Sequence, residues 1–294
     1  MTEAVAVPRL VSRTAAALSE RRARLDALLA RFVGPPSGEA LHDLRVALRR
    51  TAALARLTGD APRKGSGRAL RIAARDLRRA LSTRRTEDVA RTLLLSRFRR
   101  DPRRRAVAER LAQRLAREGD RGPSPARTRE LLTRLRRNFT RREASLARLH
   151  DPLTGTADEG AEKRLAKCVR RRLRRSAKQL CGAGVPTPAG LHPARILARD
   201  LRYGLEFASA AMPAVAALVP LLMEFQDTAG DAHDLAELVT QVRRLAGRAR
   251  PAERRAALRL LPPILAAEER ALARAQGSSR RLLARLEGAR FEWP

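Results

Sequence analysis

Two stretches of this sequence place histidine and arginine at the same spacing. They begin at Leu41 and at Leu191, and both follow the pattern L-H-x-x-R-[VI]-x-x-R. Residues three and seven positions apart share one face of an α-helix, so each histidine lies in a stripe with two arginines. Guanidinium forks pair with phosphate oxygens, and imidazole adds a donor that is charged in acid. The chemistry predicted is anion binding by His42, Arg45 and Arg49, and by His192, Arg195 and Arg199.

Further basic stripes suggest that other helices join the same site. One has spacings of 0, 3, 7 and 10, and a second has spacings of 0, 4, 7 and 11. Each stripe is either a solvated outer face or a second face toward the anion. The first consists of Arg68, Arg71, Arg75 and Arg78, of which Arg71 and Arg75 are predicted to bind. The second consists of Lys167, Arg171, Arg174 and Lys178. Arg202 and Tyr203 complete the predicted site, although Tyr203 could instead pack in the core.

The charge balance restricts the class of partner. Lys plus Arg number 63 against 31 Asp plus Glu in 294 residues, a net charge of +32. Such an excess indicates a polyanion or a strongly anionic surface as partner. Aromatic residues are 3% of the chain, with one Trp and one Tyr, so few side chains could stack on bases. Non-sequence-specific nucleic-acid binding therefore remains the alternative to binding of a polyanion without bases.

Catalysis and metal binding are not expected. The four histidines are spread along the chain without the spacing of a zinc site, and no phosphate-binding glycine-rich loop is present. Three His-Asp pairs could suggest a metal-dependent phosphohydrolase, namely His42-Asp43, His150-Asp151 and His233-Asp234, but such a site needs several of them to converge. The basic stripes contain no acidic residue to hold Mg²⁺ beside a phosphate. We therefore expect no enzyme activity, no metal and no cofactor.

The elements that must position these residues are helices. Apolar residues recur every three or four positions and no alternating strand pattern competes, which predicts an all-α protein. The linker from His150 to Gly160 divides it into halves, residues 1–150 and 151–294. Gly230 is expected to end one helix and Asp231 to cap the next. The uncharged run from Phe207 to Met223 contains two prolines and is too short to span a membrane, so it predicts buried helices.

Four segments together resemble the CHAD domain family. The two L-H-x-x-R stretches are the first pair, and the second of them continues to an L-R-Y ending at 201–203. FQDTAGDAHDL at 225–235 resembles the family's L-Q-D-x-L-G-x-x-x-D-L pattern, and the segment from Ala80 to Val89 resembles its counterpart in the first half, with Thr86 where Asp is usual. The order and spacing match from about residue 7 to 290. Thr51, Ala52 and Asp200 depart from the pattern.

The resemblance implies a fold and a function. It implies two pseudo-symmetric four-helix bundles that form one domain around a central basic cavity, with the His42 and His192 helices facing each other across it. It also implies binding of inorganic polyphosphate, with sulfate or phosphate as other possible occupants. With no signal-like N-terminus and two cysteines that cannot pair on one helix, we expect a cytoplasmic protein, associated with polyphosphate granules through the family likeness alone.

Overall fold

The computed structural model describes residues 9–30, 38–59, 65–119, 124–149, 158–209 and 212–291. This part of the chain is helical and contains no strand, which confirms the all-α prediction. The helices are α1 (Leu10–Ala30), α2 (Gly38–Leu57), α3 (Ser66–Ala80), α4 (Ser82–Arg97), α5 (Pro102–Gly119), α6 (Pro125–Ala147), α7 (Glu159–Ala183), α8 (Leu191–Ala208), α9 (Pro213–Ala216), α10 (Leu218–Gly247), α11 (Pro251–Leu258) and α12 (Leu261–Glu287).

Capping residues and prolines set where several helices begin. The side chain of Ser124 accepts a hydrogen bond from the amide of Arg127 at 3.2 Å, and Pro125 occupies the first turn of α6. Asp158 accepts from the amides of Gly160 and Ala161 at the start of α7. These contacts satisfy amides that have no partner within the helix. The sequence therefore specifies these helix ends locally.

The helices pack around one continuous hydrophobic core. Helices α1, α2, α3 and α6 contact one another, α7, α8, α10 and α12 form a second group, and α2 contacts α8 between them. The α4–α5 hairpin packs mainly against α10 and α11, so the first half of the chain reaches into the second. Buried side chains from both groups belong to the same apolar cluster. The pseudo-twofold relation and the division into residues 1–150 and 151–294 stay predictions.

Most of the predicted linker from His150 to Gly160, with its His150-Asp151 pair, lies outside the described residues. On either side of residues 150–157, the amide of Asp158 donates to the carbonyl of Leu149 at 2.7 Å. This hydrogen bond therefore links the chain just after α6 to the residue just before α7.

Helix α10 corrects the prediction at Gly230. The helix runs without a break from Leu218 to Gly247, so Gly230 does not end it and Asp231 does not cap a new one. A Cβ atom at Gly230 would lie 3.2 Å from Nη2 of Arg195 on α8. The glycine is therefore a point of close approach between α8 and α10, where a larger residue would crowd the guanidinium.

No described helix is both long and apolar enough to cross a membrane. The run from Phe207 to Met223 instead ends α8, forms the short α9 and begins α10, and many of its apolar side chains are buried. Cys168 and Cys181 are free and partly exposed on α7.

Candidate anion-binding site

A cavity of about 360 Å³ lies where the two histidine helices meet. The first L-H-x-x-R stretch supplies three of its residues and the second supplies four, and α3, α4 and α10 supply the remaining walls. The structure thus brings together groups that are 150 positions apart in sequence. The lining residues are His42, Arg45, Arg49, Arg78, Val89, Ala90, His192, Arg195, Ile196, Arg199, His233, Asp234 and Glu237.

The apolar residues of α2 and α8 fix the direction of their basic faces. On α2, Leu41, Leu44 and Leu48 are buried in the core. On α8, Leu191, Ala194, Ala198 and Leu201 are buried in the same way. Since helical side chains three, four and seven positions apart share a face, the cationic stripe stands beside the buried one. The apolar pattern is therefore what aims the arginines at the cavity.

Arg45 connects α2 to the end of α3. Its side chain is 8% exposed, and Nη1 donates to the carbonyl oxygens of Leu81 at 3.0 Å and Arg78 at 3.4 Å. The last carbonyls of a helix have no intrahelical donor and carry the negative end of the helix dipole. Arg45 satisfies them and holds the C-terminal turn of α3, and with it Arg78, at the cavity wall.

Arg195 is held between α8 and α10. Its Nε donates to the carbonyl oxygen of Gln226 at 3.4 Å, and its guanidinium lies against Gly230. Burial lowers the pKa of Arg195, while the carboxylates of Asp234 and Asp227 act in the opposite direction. The contacts with α10 therefore orient this cation before any ligand arrives.

The centre of the cavity concentrates positive charge. Burial, followed by repulsion from Arg199, Arg45 and Arg195, lowers the pKa of Arg49 to about 9. Burial and the charge of Arg199 also lower the pKa of Arg78. In addition, the buried Nε atoms of Arg49 and Arg199 have no hydrogen-bond partner among the described residues. Buried donors without partners are costly, so the cavity is suited to an anion that would supply oxygens and negative charge.

Two histidines meet at one end of the cavity. The rings of His192 and His233 lie 4.6 Å apart between centroids and are tilted by 42°. Burial, then the neighbouring His233, Arg195 and Arg199, lowers the pKa of His192. A bound anion would act in the opposite direction, because it favours the charged imidazole. We therefore expect the charge of His192 to depend on both the pH and a bound anion.

The α10 wall was not foreseen from the sequence. His233 lies in the segment that resembles the family pattern, but it was considered only as part of a metal-binding pair. Asp234 and Glu237 place carboxylates in the cavity, where the basic stripes had suggested none. The described residues contain no group of three or more side chains arranged to hold a metal. The missed signal was the spacing of His233, Asp234 and Glu237 on one face of a helix that does not stop at Gly230.

The α7 stripe lies away from the cavity. Lys167, Arg171, Arg174 and Lys178 are exposed, and the last two line a separate groove with Arg290 and Phe291. The reason is that α7 buries the opposite face, formed by Ala161, Leu165, Val169, Leu173, Ala177 and Leu180. The prediction that these four residues line the cavity is corrected by this geometry. Their role in binding stays a prediction.

The α3 stripe reaches the cavity at one end only. Arg78, which was part of the stripe but not of the predicted site, lines the cavity, whereas Arg71 and Arg75 do not. Arg75 pairs with Asp76 at 3.2 Å, and Asp76 also contacts Arg134 of α6 at 3.3 Å. Arg71, Arg75 and Arg78 are half-buried, whereas Arg68 is exposed. The charge of Arg172 on α7 acts on Arg71.

Arg202 and Tyr203 belong to the joint between α2 and α8. Tyr203 is 4% exposed, with the guanidinium of Arg202 at 4.9 Å and that of Arg50 at 5.7 Å from its ring centroid. Arg202 and Arg50 both pair with Glu206, at 3.5 and 3.7 Å. The core alternative for Tyr203 therefore describes its position, and neither predicted residue lines the cavity.

Asp200, which departs from the family pattern, also joins the two helices. It forms an ion pair with Arg56 of α2 and lies 3.7 Å from Arg199. The substitution replaces a base with a contact between α2 and α8.

These observations define the class of protein: it is an all-α protein in which two similar histidine and arginine stretches enclose a cationic cavity. The CHAD domain model matches residues 15–243, and the chain belongs to the CHAD domain family.

Two solved structures share the fold over nearly the whole chain. The CHAD domain from the plant Ricinus communis is 22% identical, with a TM-score of 0.61, and the match covers 98% of this chain and 96% of that one. PptA from Streptomyces chartreusis is 17% identical, with a TM-score of 0.62 and coverage of 92% and 98%. A search of curated proteins found no match.

Proposed function

We propose that this chain binds inorganic polyphosphate in the cavity between α2 and α8, without catalysis. The observation that carries the proposal is the convergence of Arg49, Arg195 and Arg199 on one cavity, with buried guanidinium donors that lack partners. A chain of phosphates offers many anionic oxygens and no bases. It could satisfy these donors through charge-assisted hydrogen bonds, while its counterions are released.

Membership of the CHAD family supports the same ligand class, because the family is associated with polyphosphate. Sulfate and phosphate share the chemistry and would compete weakly. We extend the proposal to a cytoplasmic protein that associates with polyphosphate granules. That cellular role rests on the family alone.

Nucleic acid is the competing ligand. The net charge of +32 attracts any polyanion, but the cavity of about 360 Å³ is the size of a small-molecule site. A duplex would remain on the outer surface, and the one tyrosine is buried between arginines rather than open for stacking. These features favour a slender, flexible phosphate chain.

The test compares polyphosphate with duplex DNA of equal total charge at several salt concentrations. The triple variant Arg49→Gln, Arg195→Gln, Arg199→Gln should lose most polyphosphate affinity. A control variant changes the exposed Arg110, Arg129 and Arg280 to Gln and so carries the same net charge. It should keep most of the affinity. Equal losses in the two variants, or tighter DNA binding at physiological salt, would contradict the proposal.

A further inference from the structure

The arginine stripe of α3 continues beyond the cavity. Arg78 lines the cavity, and its charge interacts with Arg199 on one side and with Arg75 on the other. Arg71, Arg75 and Arg78 are four and three positions apart, so they follow one helix face over about 10 Å. The positive potential of the cavity is therefore not confined to it.

Three helices, α2, α3 and α7, contribute to this extension. Burial lowers the pKa of Arg71, and the charges of Arg56 from α2, Arg75 and Arg68 from its own helix, and Arg172 from α7 lower it further. Arg172 passes close to Gly59 at the end of α2: a Cβ there would lie 3.4 Å from its Nη2. We call these five residues the arginine ridge. Their convergence from α2, α3 and α7 distinguishes the ridge from an ordinary solvated helix face.

The ridge retains positive charge after its own ion pairs are considered. Asp200 pairs with Arg56, and Asp76 pairs with Arg75. No acidic group of the described residues pairs with Arg71, and the buried Nε of Arg172 has no hydrogen-bond partner there. Four of these guanidinium groups, those of Arg56, Arg71, Arg75 and Arg172, therefore face the two carboxylates of Asp200 and Asp76, which leaves a net positive track.

The opposite sign of the α10 wall gives the track a direction. Asp234 and Glu237 bring carboxylates to the cavity from α10, whereas α3 brings only Arg78. A polyanion that leaves the cavity past α10 meets repulsion, and one that leaves past α3 meets further arginines. The path along α3 is electrostatically favoured.

Building on the proposed function, we infer that the arginine ridge is a second subsite that binds the outer phosphates of a linear polyphosphate whose inner phosphates occupy the cavity. The ridge would then set a preference for chain length. A chain too short to pass Arg78 gains only the cavity contacts, and a longer one adds contacts with Arg71 and Arg172.

The experiment measures the affinities of tripolyphosphate and of a long polyphosphate for the wild type and for Arg71→Gln with Arg172→Gln. We expect the double variant to bind long chains about tenfold more weakly, as for the loss of two moderate phosphate contacts. Tripolyphosphate affinity should be unchanged. The salt dependence should weaken by about two counterions for the long chain alone.

Two further variants separate the ridge from general effects. Arg110→Gln with Arg285→Gln removes the same charge from exposed positions on α5 and α12, and should leave both affinities unchanged. Arg71→Lys with Arg172→Lys retains the charge and should keep most of the preference for long chains, which excludes misfolding as the cause of the loss.

Two results would overturn the inference while leaving the proposed function intact. One is an equal loss of tripolyphosphate and long-chain affinity in the Gln variant, and the other is no loss of either. If the wild type bound neither ligand, the proposed function itself would fail.

Discussion

Replacing Arg49 with Gln should make the ligand-free protein more stable and the ligand-bound protein less so. Burial and three neighbouring arginines lower the pKa of Arg49 from its ordinary value to about 9. At neutral pH the guanidinium is charged in both the folded and the unfolded chain. The lowered pKa is therefore a cost to the folded state that is fully present below pH 9.

The size of the effect follows from that lowered pKa. At about 1.4 kcal/mol per pKa unit, the charged form is disfavoured by at most about 5 kcal/mol. Solvent screening reduces this value, and Gln loses the packing of the longer side chain, so we expect a net gain of about 1–2 kcal/mol. This corresponds to a rise of a few degrees in Tm.

The assay is thermal and denaturant unfolding at low ionic strength in a buffer free of phosphate and sulfate. The control is Arg175→Gln, which removes one exposed charge from α7. With saturating polyphosphate the order should reverse, because the wild type gains more binding free energy than the variant. A ligand-free Arg49→Gln protein less stable than both the wild type and the control would refute the reasoning.

Three other predictions address separate parts of the site. Because burial and neighbouring cations lower the pKa of His192 below 6.5, the ligand-free fold should lose stability as the pH falls below that value. A bound polyanion should raise the same pKa, so polyphosphate affinity should increase on acidification between about pH 8 and 5, and His192→Asn should flatten this dependence in calorimetric titrations. Gly230→Ala should leave the free energy of unfolding unchanged or raise it by up to about 1 kcal/mol, because alanine favours the helix more than glycine does. The same change should weaken polyphosphate binding several-fold, because the new Cβ would crowd Arg195. A loss of stability without loss of affinity would contradict this account. Gly204→Ala should destabilise the fold by about 1–3 kcal/mol, measured by denaturant unfolding, because the new Cβ would lie 2.7 Å from a methyl of buried Leu173.

The sequence was sufficient to predict the helical fold and six of the residues that line the cavity. Apolar spacing is a local signal, and it predicted the all-α fold. The two L-H-x-x-R stretches predicted six residues that the structure places around one cavity. The prediction that a helix ends at Gly230 was wrong because a glycine can mark either a helix end or a close contact between two helices. Only the tertiary packing distinguishes these two roles.

Charge stripes alone did not reveal which helices face the cavity. The stripes of α3 and α7 have similar spacing, but α3 brings Arg78 to the cavity while α7 presents its stripe to solvent. The difference depends on which side of each helix the core covers. A basic residue near the edge of a helix's buried face can reach a neighbouring helix, as Arg172 of α7 reaches Gly59. A basic stripe on the side opposite the buried face cannot. Recognition of the buried stripe of α7 would have placed its four basic residues outside the cavity.

The shared core has a consequence for synthesis. The cavity needs α2 and α3 from the first half of the chain and residues as late as Glu237 on α10. During translation, a nascent chain that ends before α10 already carries many arginines but cannot assemble the enclosed site. The cavity can therefore form only after residue 237 has emerged, and shorter fragments would present arginines without an enclosed site.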